Sequence, residues 1–244
     1  MILGIDAGSR FIKWALMDRH RVADLGRISS EGADLAGLPK LLPRASSAGV
    51  TGYGRHLLRE VFPACRVLSE ISAHALGARH LKGDTTLVLD VGGQDSKAIE
   101  MDRSGRVLDF RVNDRCAAGT GRFLENMGRV LGMGVQDMIQ EAIRAQRSAP
   151  VSSMCAVFAE SEVISLLSKG TPRGEVARGI FESLRGRLEA LASCLSKGDF
   201  AFTGGLSEVS GAGEALSSRS VRLIPLPNGA YAGAIGAALA AMGN

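Results

Sequence analysis

The sequence lacks several features that would define a function class. Only 5% of its 244 residues are aromatic, with one Trp and two Tyr, so the interleaved basic and aromatic pattern of a nucleic-acid surface is missing. It contains no apolar run near the ~20 residues that a membrane-spanning helix needs. No charged segment followed by an apolar stretch and a cleavage site marks a secretory signal. We therefore expect a cytoplasmic protein with neither membrane nor nucleic acid as partner.

Cysteine is also scarce, and its spacing excludes some familiar sites. The chain has four cysteines: Cys65, Cys116, Cys155 and Cys194. No pair has the CxxC spacing of a zinc ribbon or a thioredoxin-like motif, and disulfides are not expected in a reducing compartment. For Cys65 and Cys194 we expect the role of small hydrophobic side chains.

The sequence does contain an internal repeat. At a constant offset of 84 residues, LGIDAGSRFIKWALMDR at 3–19 matches LVLDVGGQDSKAIEMDR at 87–103. The matched polar and turn positions are Asp6 with Asp90, Gly8 with Gly92, and Lys13 with Lys97. Each copy predicts an apolar strand that ends in Asp, a glycine-containing turn, a second strand, and a third strand after an Asp-Arg turn.

Turns of this kind let backbone N–H groups approach phosphate oxygens, and a strand-end Asp is placed to hold Mg²⁺ through water. We therefore predict that the two turns contact the phosphates of one ATP, with Asp6 and Asp90 near the metal. The predicted nucleotide-binding residues of the turns are Gly8, Ser9, Lys13, Gly92, Gly93 and Gln94. One or both of the equivalent lysines can reach phosphate. Gln94 either orients the attacking water or caps its turn.

A third element, FAFTGGL at 200–206, predicts a strand that runs into Gly204 and Gly205 and then a helix. We expect the two glycines to form the surface on which adenosine lies. Together with a small-residue helix at the end of the chain, these parts resemble the acetate kinase, sugar kinase, heat-shock chaperone and actin superfamily. The resemblance implies an α/β fold of two ribonuclease H-like lobes with ATP in the cleft between them. Lobe I would comprise 1–82 and the helix 228–244, and lobe II would comprise 83–227.

Two further segments surround cysteines at predicted helix starts. They are NDRCAAGTGRFLE around Cys116 and MCAVFAESEVISLL around Cys155. A helix start lowers the pKa of a thiol and stabilises an anionic metal–sulfur cluster. A 4Fe–4S cluster needs four thiolates, which two chains related by a two-fold axis would supply as two each. The alternative is that all four cysteines of one chain converge.

The sequence around both cysteines resembles that of the BadF/BadG/BcrA/BcrD family. This family comprises the ATP-dependent activators of 2-hydroxyacyl-CoA dehydratases and the ATPase subunits of benzoyl-CoA reductases. TGYGR at 51–55 and EISAHALGA at 70–78 resemble the same pattern. The resemblance implies an ATPase coupled to low-potential electron transfer in an anaerobic organism. Cys116 and Cys155 would hold one 4Fe–4S cluster across a homodimer, reduced by ferredoxin or flavodoxin. Its electron would pass to a client dehydratase, a benzoyl-CoA reductase-type enzyme or another redox enzyme.

Two other functions stay open at this point. A sugar or carboxylate kinase of the same fold would need a catalytic carboxylate, for which Asp95 is the candidate. A non-redox ATP-switched assembly protein would carry its cysteines incidentally. Near Glu70, His74 is better explained by a structural hydrogen bond than by a ligand or proton-relay role. Glu160 and Glu162 are explained by their place early in a helix.

Overall fold

The computed structural model describes residues 1–34, 37–113, 120–151 and 156–242. The chain divides into two compact units. The first contains Met1–Val88, Ile99–Phe110 and Leu226–Asn244, and the second contains Leu89–Ala98 and Arg111–Pro225. The lobe boundary expected at residues 82 and 83 stays a prediction. The first compact unit extends beyond that boundary, since it also contains 83–88 and 99–110.

The first unit is built on a five-stranded sheet with strand order β3-β2-β1-β4-β5. Its strands are β1 (Ile2–Ala7), β2 (Phe11–Asp18), β3 (Arg21–Ser29), β4 (Ser47–Thr51) and β5 (Arg66–Val67). Strand β1 pairs antiparallel with β2 and parallel with β4, so the sheet is mixed. One face of this sheet buries a core of aliphatic side chains that includes Leu3, Ile5 and Leu58.

A second sheet has the order β10-β9-β6-β7-β8. Read from β8 to β10, this order repeats that of the first sheet, with β6, β7 and β8 in the places of β1, β2 and β3. Its strands are β6 (Leu87–Val91), β7 (Ser96–Met101), β8 (Val107–Asn113), β9 (Gly198–Thr203) and β10 (Val221–Pro225). The division between the units falls inside β6, β7 and β8. The three strands predicted for each copy of the repeat are confirmed, and the structure extends the repeat to a fourth and a fifth strand.

The helices of the described chain lie between and after these strands. They are α1 (Leu38–Leu41), α2 (Arg55–Val61), α3 (Glu70–Leu81), α4 (Gly121–Leu131), α5 (Val135–Arg144), α6 (Ala156–Ser168), α7 (Arg173–Ala192), α8 (Ala212–Leu216) and α9 (Ala232–Met242). A short 3-10 helix spans Gly205–Glu208. Within the described parts of the chain, none of these helices combines the length and the apolar character that crossing a membrane requires.

The small-residue helix predicted at the end of the chain is α9, and it packs unusually close to its neighbours in the first unit. A Cβ added to Gly4 of β1 would lie 1.8 Å from the carbonyl oxygen of Ala234. A Cβ added to Gly77 of α3 would lie 1.9 Å from the carbonyl oxygen of Ala232. Backbone therefore touches backbone at these points, and only glycine permits that distance. This packing fixes α9 over the second face of the first sheet.

Candidate functional site

The first turn of the repeat joins β1 to β2. The Gly8 N–H donates to the carbonyl oxygen of Phe11 at 3.1 Å, which closes the turn. The Ser30 hydroxyl donates to the Gly8 carbonyl at 2.7 Å and holds the turn against the end of β3. The N–H of Ser9 donates to no residue that the structure describes. Two hydrogen bonds therefore hold the turn, which keeps a backbone donor available for an anion.

Asp6 is the last but one residue of β1 and lies at the mouth of this turn. It pairs in register with Lys13 on β2 and with Thr51 on β4, so the three residues stand on one face of the sheet. The Asp6 side chain is only 6% exposed. Among the described residues it has no hydrogen-bond or ion-pair partner, and the same is true of Lys13. A buried carboxylate in that state fits a cation or metal-bound water as its missing partner.

Gly233, at the start of α9, packs against this carboxylate. A Cβ placed there would lie 2.8 Å from Asp6 Oδ2 and 3.0 Å from His74 Nε2. His74 is itself buried in α3. The close packing of α9 thus places Gly233 and His74 beside the Asp6 carboxylate in the first unit.

The second turn joins β6 to β7 and repeats the first turn closely. The Gly92 N–H donates to the carbonyl oxygen of Asp95 at 2.9 Å, the bond that Gly8 and Phe11 make in the first copy. Gln94 is exposed, and its side chain makes no hydrogen bond within the described residues, so the capping alternative has no support there. The N–H groups of Gly93 and Gln94 likewise donate to no described residue.

Asp90, the second strand-end aspartate, differs from Asp6 in having partners on both oxygens. The Thr203 hydroxyl donates to Asp90 Oδ1 at 3.1 Å. The Lys97 ammonium lies 3.4 Å from Asp90 Oδ2 and 2.8 Å from Asp95 Oδ2. Asp90 is 2% exposed and Lys97 is 4% exposed. Lys97 is therefore held in a buried ion pair with two carboxylates, whereas its equivalent, Lys13, is not.

A Thr-Gly pair follows the same pattern at the end of β4 in the first sheet and of β9 in the second. The comparison of the two halves of the sequence missed this part of the repeat. Thr51-Gly52 follows this pattern after β4, and Thr203-Gly204 follows it after β9. The two glycines have φ angles of 91° and 88°. Their Cβ positions would lie 2.6 Å from Ala7 N and 2.3 Å from Val91 O, at equivalent places in the two strand ends. The recurring Thr-Gly after an apolar strand was the signal available in the sequence.

The two glycines predicted to contact adenosine have different surroundings. Gly204 packs against Asp90, because a Cβ there would lie 2.8 Å from Asp90 Oδ1. A Cβ on Gly205 would meet no atom within 4 Å. Gly204 is thus required by the packing of the second-unit site, and Gly205 offers open backbone surface to a ligand. The structure brings Gly204 together with Asp90 and Gly92 in one unit.

The second turn is also tied to a helix. The carbonyl oxygen of Gly92 accepts a hydrogen bond from the Gly121 N–H at 2.9 Å, and that of Gly93 accepts one from the Arg122 N–H at 3.1 Å. Gly121 and Arg122 are the first two residues of α4. Two backbone hydrogen bonds therefore join the second turn to the start of α4.

Both cysteines predicted as cluster ligands, Cys116 and Cys155, lie outside the described residues. Helix α6 begins at Ala156, directly after Cys155, and α4 begins five residues after Cys116. The described residues contain no group of three or more His, Cys, Asp or Glu side chains that would hold a metal ion.

The remaining cysteines have unlike environments. Cys65 packs partly buried against the core of the first unit, and burial raises the pKa of its thiol. Cys194 is exposed after the end of α7, so the expectation of a small hydrophobic role is wrong for Cys194.

Comparison with known proteins gives matches along almost the whole chain. A model of the BadF/BadG/BcrA/BcrD ATPase family matches residues 3–241. An activator of lactoyl-CoA dehydratase from Anaerotignum propionicum is 38% identical over 251 residues, which cover 97% of this chain and 95% of that protein.

Two solved structures give the same result at the level of the fold. Component A of the Acidaminococcus fermentans (R)-2-hydroxyglutaryl-CoA dehydratase has a TM-score of 0.88 at 34% identity, covering 98% of this chain and 96% of that one. The activator of the Clostridium difficile 2-hydroxyisocaproyl-CoA dehydratase, with bound ADPNP, has a TM-score of 0.87 at 32% identity, covering 99% and 94%. The predicted α/β fold class of actin-like ATPases is confirmed.

Proposed function

Because the chain belongs to the BadF/BadG/BcrA/BcrD ATPase family, we propose that it hydrolyses ATP to activate a 2-hydroxyacyl-CoA dehydratase by supplying single electrons. The observation that carries the ATPase role is the buried Asp6 carboxylate, which lies beside a glycine-closed turn and has no partner among the described residues. The client class is supported by dehydratase activators that match nearly the whole chain.

The described turns supply the groups that an ATP triphosphate needs. At the first turn, the Ser9 N–H and the Lys13 ammonium have no described partner. In the second unit, the N–H groups of Gly93 and Gln94 are equally available. Mg²⁺ held near Asp6 and Asp90 would neutralise charge on the phosphate oxygens. That both turns serve the same nucleotide stays a prediction.

Gln94 is our candidate for the residue that orients the attacking water. Its amide is exposed at the tip of the second turn and makes no hydrogen bond to a described residue. A neutral amide accepts a hydrogen bond from water and donates another to phosphate without taking up the proton, which matches the role of glutamine in several NTPases. Asp95 is bound to Lys97 at 2.8 Å, so it is poorly placed as the catalytic base of a kinase.

Cys116 and Cys155 of two identical chains would hold the electron-transferring group. A 4Fe–4S cluster bound by four thiolates supplies a one-electron centre of low potential. Support for a homodimer near Cys155 comes from α6, where Val157 is 69% exposed and Phe158 is 68% exposed. Apolar side chains exposed to this extent directly after a ligand cysteine fit burial by a second subunit. Ferredoxin or flavodoxin would be the electron donor.

The hydrogen bonds from α4 to the second turn offer a route from nucleotide to cluster. Gly92 and Gly93 contact the nucleotide in this proposal, and their carbonyl oxygens accept from Gly121 and Arg122. Residue 116 lies in the segment that connects β8 to α4. If ATP and ADP favour different positions of the turn, they favour different positions of the start of α4 and of the cysteine segment. Such a difference in affinity is what a nucleotide-driven switch requires.

The test is iron content after purification without oxygen. We expect four iron atoms per dimer, iron–sulfur charge-transfer absorption, and loss of both in Cys116→Ser and in Cys155→Ser. Cys194→Ser is the matched control, because Cys194 is an exposed free cysteine outside the predicted ligand set. Iron and dimer retained in both ligand variants would refute the shared cluster. Sugar-dependent ATP turnover by an iron-free protein would instead indicate a kinase.

A further inference from the structure

We infer that Gly233 is a positioning residue for the Asp6 carboxylate, and that the missing side chain at this position is needed for Mg²⁺ and ATP to bind at Asp6. Gly233 is the second residue of α9, so this helix takes part in the nucleotide site although it lies outside the duplicated turns. The inference rests on the proposed ATPase function and deepens it by adding a residue to the same site.

The first argument is that helix packing does not explain this glycine. A Cβ added to Gly236, one turn further along α9, would lie 1.8 Å from the carbonyl oxygen of Ala73. That position requires glycine because backbone meets backbone. The atoms nearest to a Cβ on Gly233 belong instead to side chains: Asp6 Oδ2 at 2.8 Å, His74 Nε2 at 3.0 Å and Asp6 Cγ at 3.1 Å. The space at Gly233 is therefore bounded by polar groups of the site.

The second argument is that α9 is held on both sides of Gly233. The carbonyl oxygen of Ala232 lies 1.9 Å from the Cβ position of Gly77 in α3. The carbonyl oxygen of Ala234 lies 1.8 Å from the Cβ position of Gly4 in β1. Because both neighbours of Gly233 already touch backbone, the helix has no room to shift away from the carboxylate.

The third argument is what a methyl group at Gly233 would do to Asp6. A separation of 2.8 Å is too short for a carbon and an oxygen that are not bonded. The end of the Asp6 side chain can turn away, whereas the held helix cannot. Asp6 is 6% exposed, so little free space surrounds it. The methyl group therefore either displaces the carboxylate or fills the space beside it, and both effects weaken the binding of a metal ion or its water.

The inference is tested with Mn²⁺, a paramagnetic substitute for Mg²⁺, and ADPNP on the full-length protein. Gly233→Ala should bind the Mn²⁺–ADPNP complex about ten- to hundredfold more weakly than wild type, the range expected when the orientation of a metal ligand is disturbed. Its unfolding temperature without ligand should stay within about 4 °C of wild type, because only a side-chain end must move and alanine favours the helix.

Gly236→Ala is the matched control, since it adds the same methyl group to the same helix but against backbone. It should lower the unfolding temperature by more than about 4 °C. The protein that remains folded should bind the Mn²⁺–ADPNP complex within about twofold of wild type. A Gly233→Ala protein that unfolds as readily as Gly236→Ala would overturn the inference, because Gly233 would then serve packing.

A double variant separates positioning from general damage. Asp6→Asn should weaken binding of the complex, and adding Gly233→Ala should cause no further loss, because the carboxylate that the methyl group disturbs is already gone. Losses that multiply in the double variant, or wild-type affinity in either single variant, would overturn the inference. The thermal shift of wild type by Mg²⁺ and ADPNP is measured first. Its absence would refute the proposed ATPase, whereas its presence with unchanged binding in Gly233→Ala would refute only the role of Gly233.

Discussion

Replacing Gly204 with Ala should damage both the stability and the nucleotide site of the second unit. Gly204 has φ 88° and ψ 171°, a backbone conformation that is almost confined to glycine. An added Cβ would lie 2.3 Å from the carbonyl oxygen of Val91 and 2.8 Å from Asp90 Oδ1. The first of these neighbours is backbone at the end of a buried central strand, so it cannot move aside as a flexible side chain would.

The size of the effect follows from two contributions. Holding alanine in this conformation costs about 1–3 kcal/mol, and forcing a methyl group into a filled space costs a further ~1–3 kcal/mol. The sum of roughly 2–6 kcal/mol corresponds to a fall in unfolding temperature of roughly 5–20 °C for a chain of this length. Because the methyl group displaces Asp90, we also expect weaker binding of Mg²⁺ and ADPNP.

The assay is thermal unfolding with and without Mg²⁺ and ADPNP, with Gly205→Ala as the matched control. A Cβ on Gly205 meets no protein atom within 4 Å, so this variant should keep the wild-type stability without ligand. If adenosine lies against Gly205, its replacement lowers only the stabilisation that ADPNP provides. Equal stability of Gly204→Ala and wild type would refute the packing argument, because both of its contributions have the same sign.

Two further predictions concern the first unit. Gly4→Ala should lower the free energy of unfolding in urea by at least about 2 kcal/mol, since its Cβ would overlap the Ala234 carbonyl in α9, whereas Gly83→Ala, which meets no atom, should have little effect. A Gly4→Ala protein as stable as Gly83→Ala would contradict the close packing of α9. Hydrogen bonds from Ser104 and Arg106 lower the pKa of Asp102 to about 2. Because this pKa is lower in the folded protein than the ordinary value of 3.8, ionised Asp102 stabilises the fold fully above pH 3.8, and this contribution is lost as the pH falls towards 2. The stability advantage of wild type over Asp102→Asn in urea titrations should therefore shrink between pH 3.8 and pH 2. An advantage that is constant from pH 5 to pH 2 would contradict this assignment.

The two copies of the repeat show how far local sequence information reaches. Asp6, Gly8 and their counterparts predicted a strand, a turn and a second strand in each half, and both hairpins have the same closing hydrogen bond. A turn of this length depends on residues that are neighbours along the chain, so its residue types suffice to predict it. The repeat also predicted the fold class through its resemblance to the actin-like ATPases, which the solved relatives confirm.

The partners of the site residues depended on contacts between distant parts of the chain. Thr203 and Asp90 are 113 residues apart, and the sequence comparison had no reason to join them. Lys13 and Lys97 occupy identical positions of the repeat, yet Lys97 is bound by buried Asp90 and partly exposed Asp95, whereas Lys13 has no described partner. Burial and ion pairing depend on what the surrounding elements bring near, which a local pattern does not contain.

By itself, then, the sequence determined the duplicated strand-and-turn units, the strand-end aspartates and the family, because each of these is written in residues close together along the chain. Only the tertiary structure decided that both carboxylate oxygens of Asp90 have partners, whereas Asp6 has none among the described residues. It also decided that close packing requires glycine at position 204, whereas a Cβ at position 205 would meet no atom within 4 Å. The physical reason is that charge compensation and close packing are properties of a three-dimensional neighbourhood. Identical residues acquire different chemistry when the fold surrounds them differently.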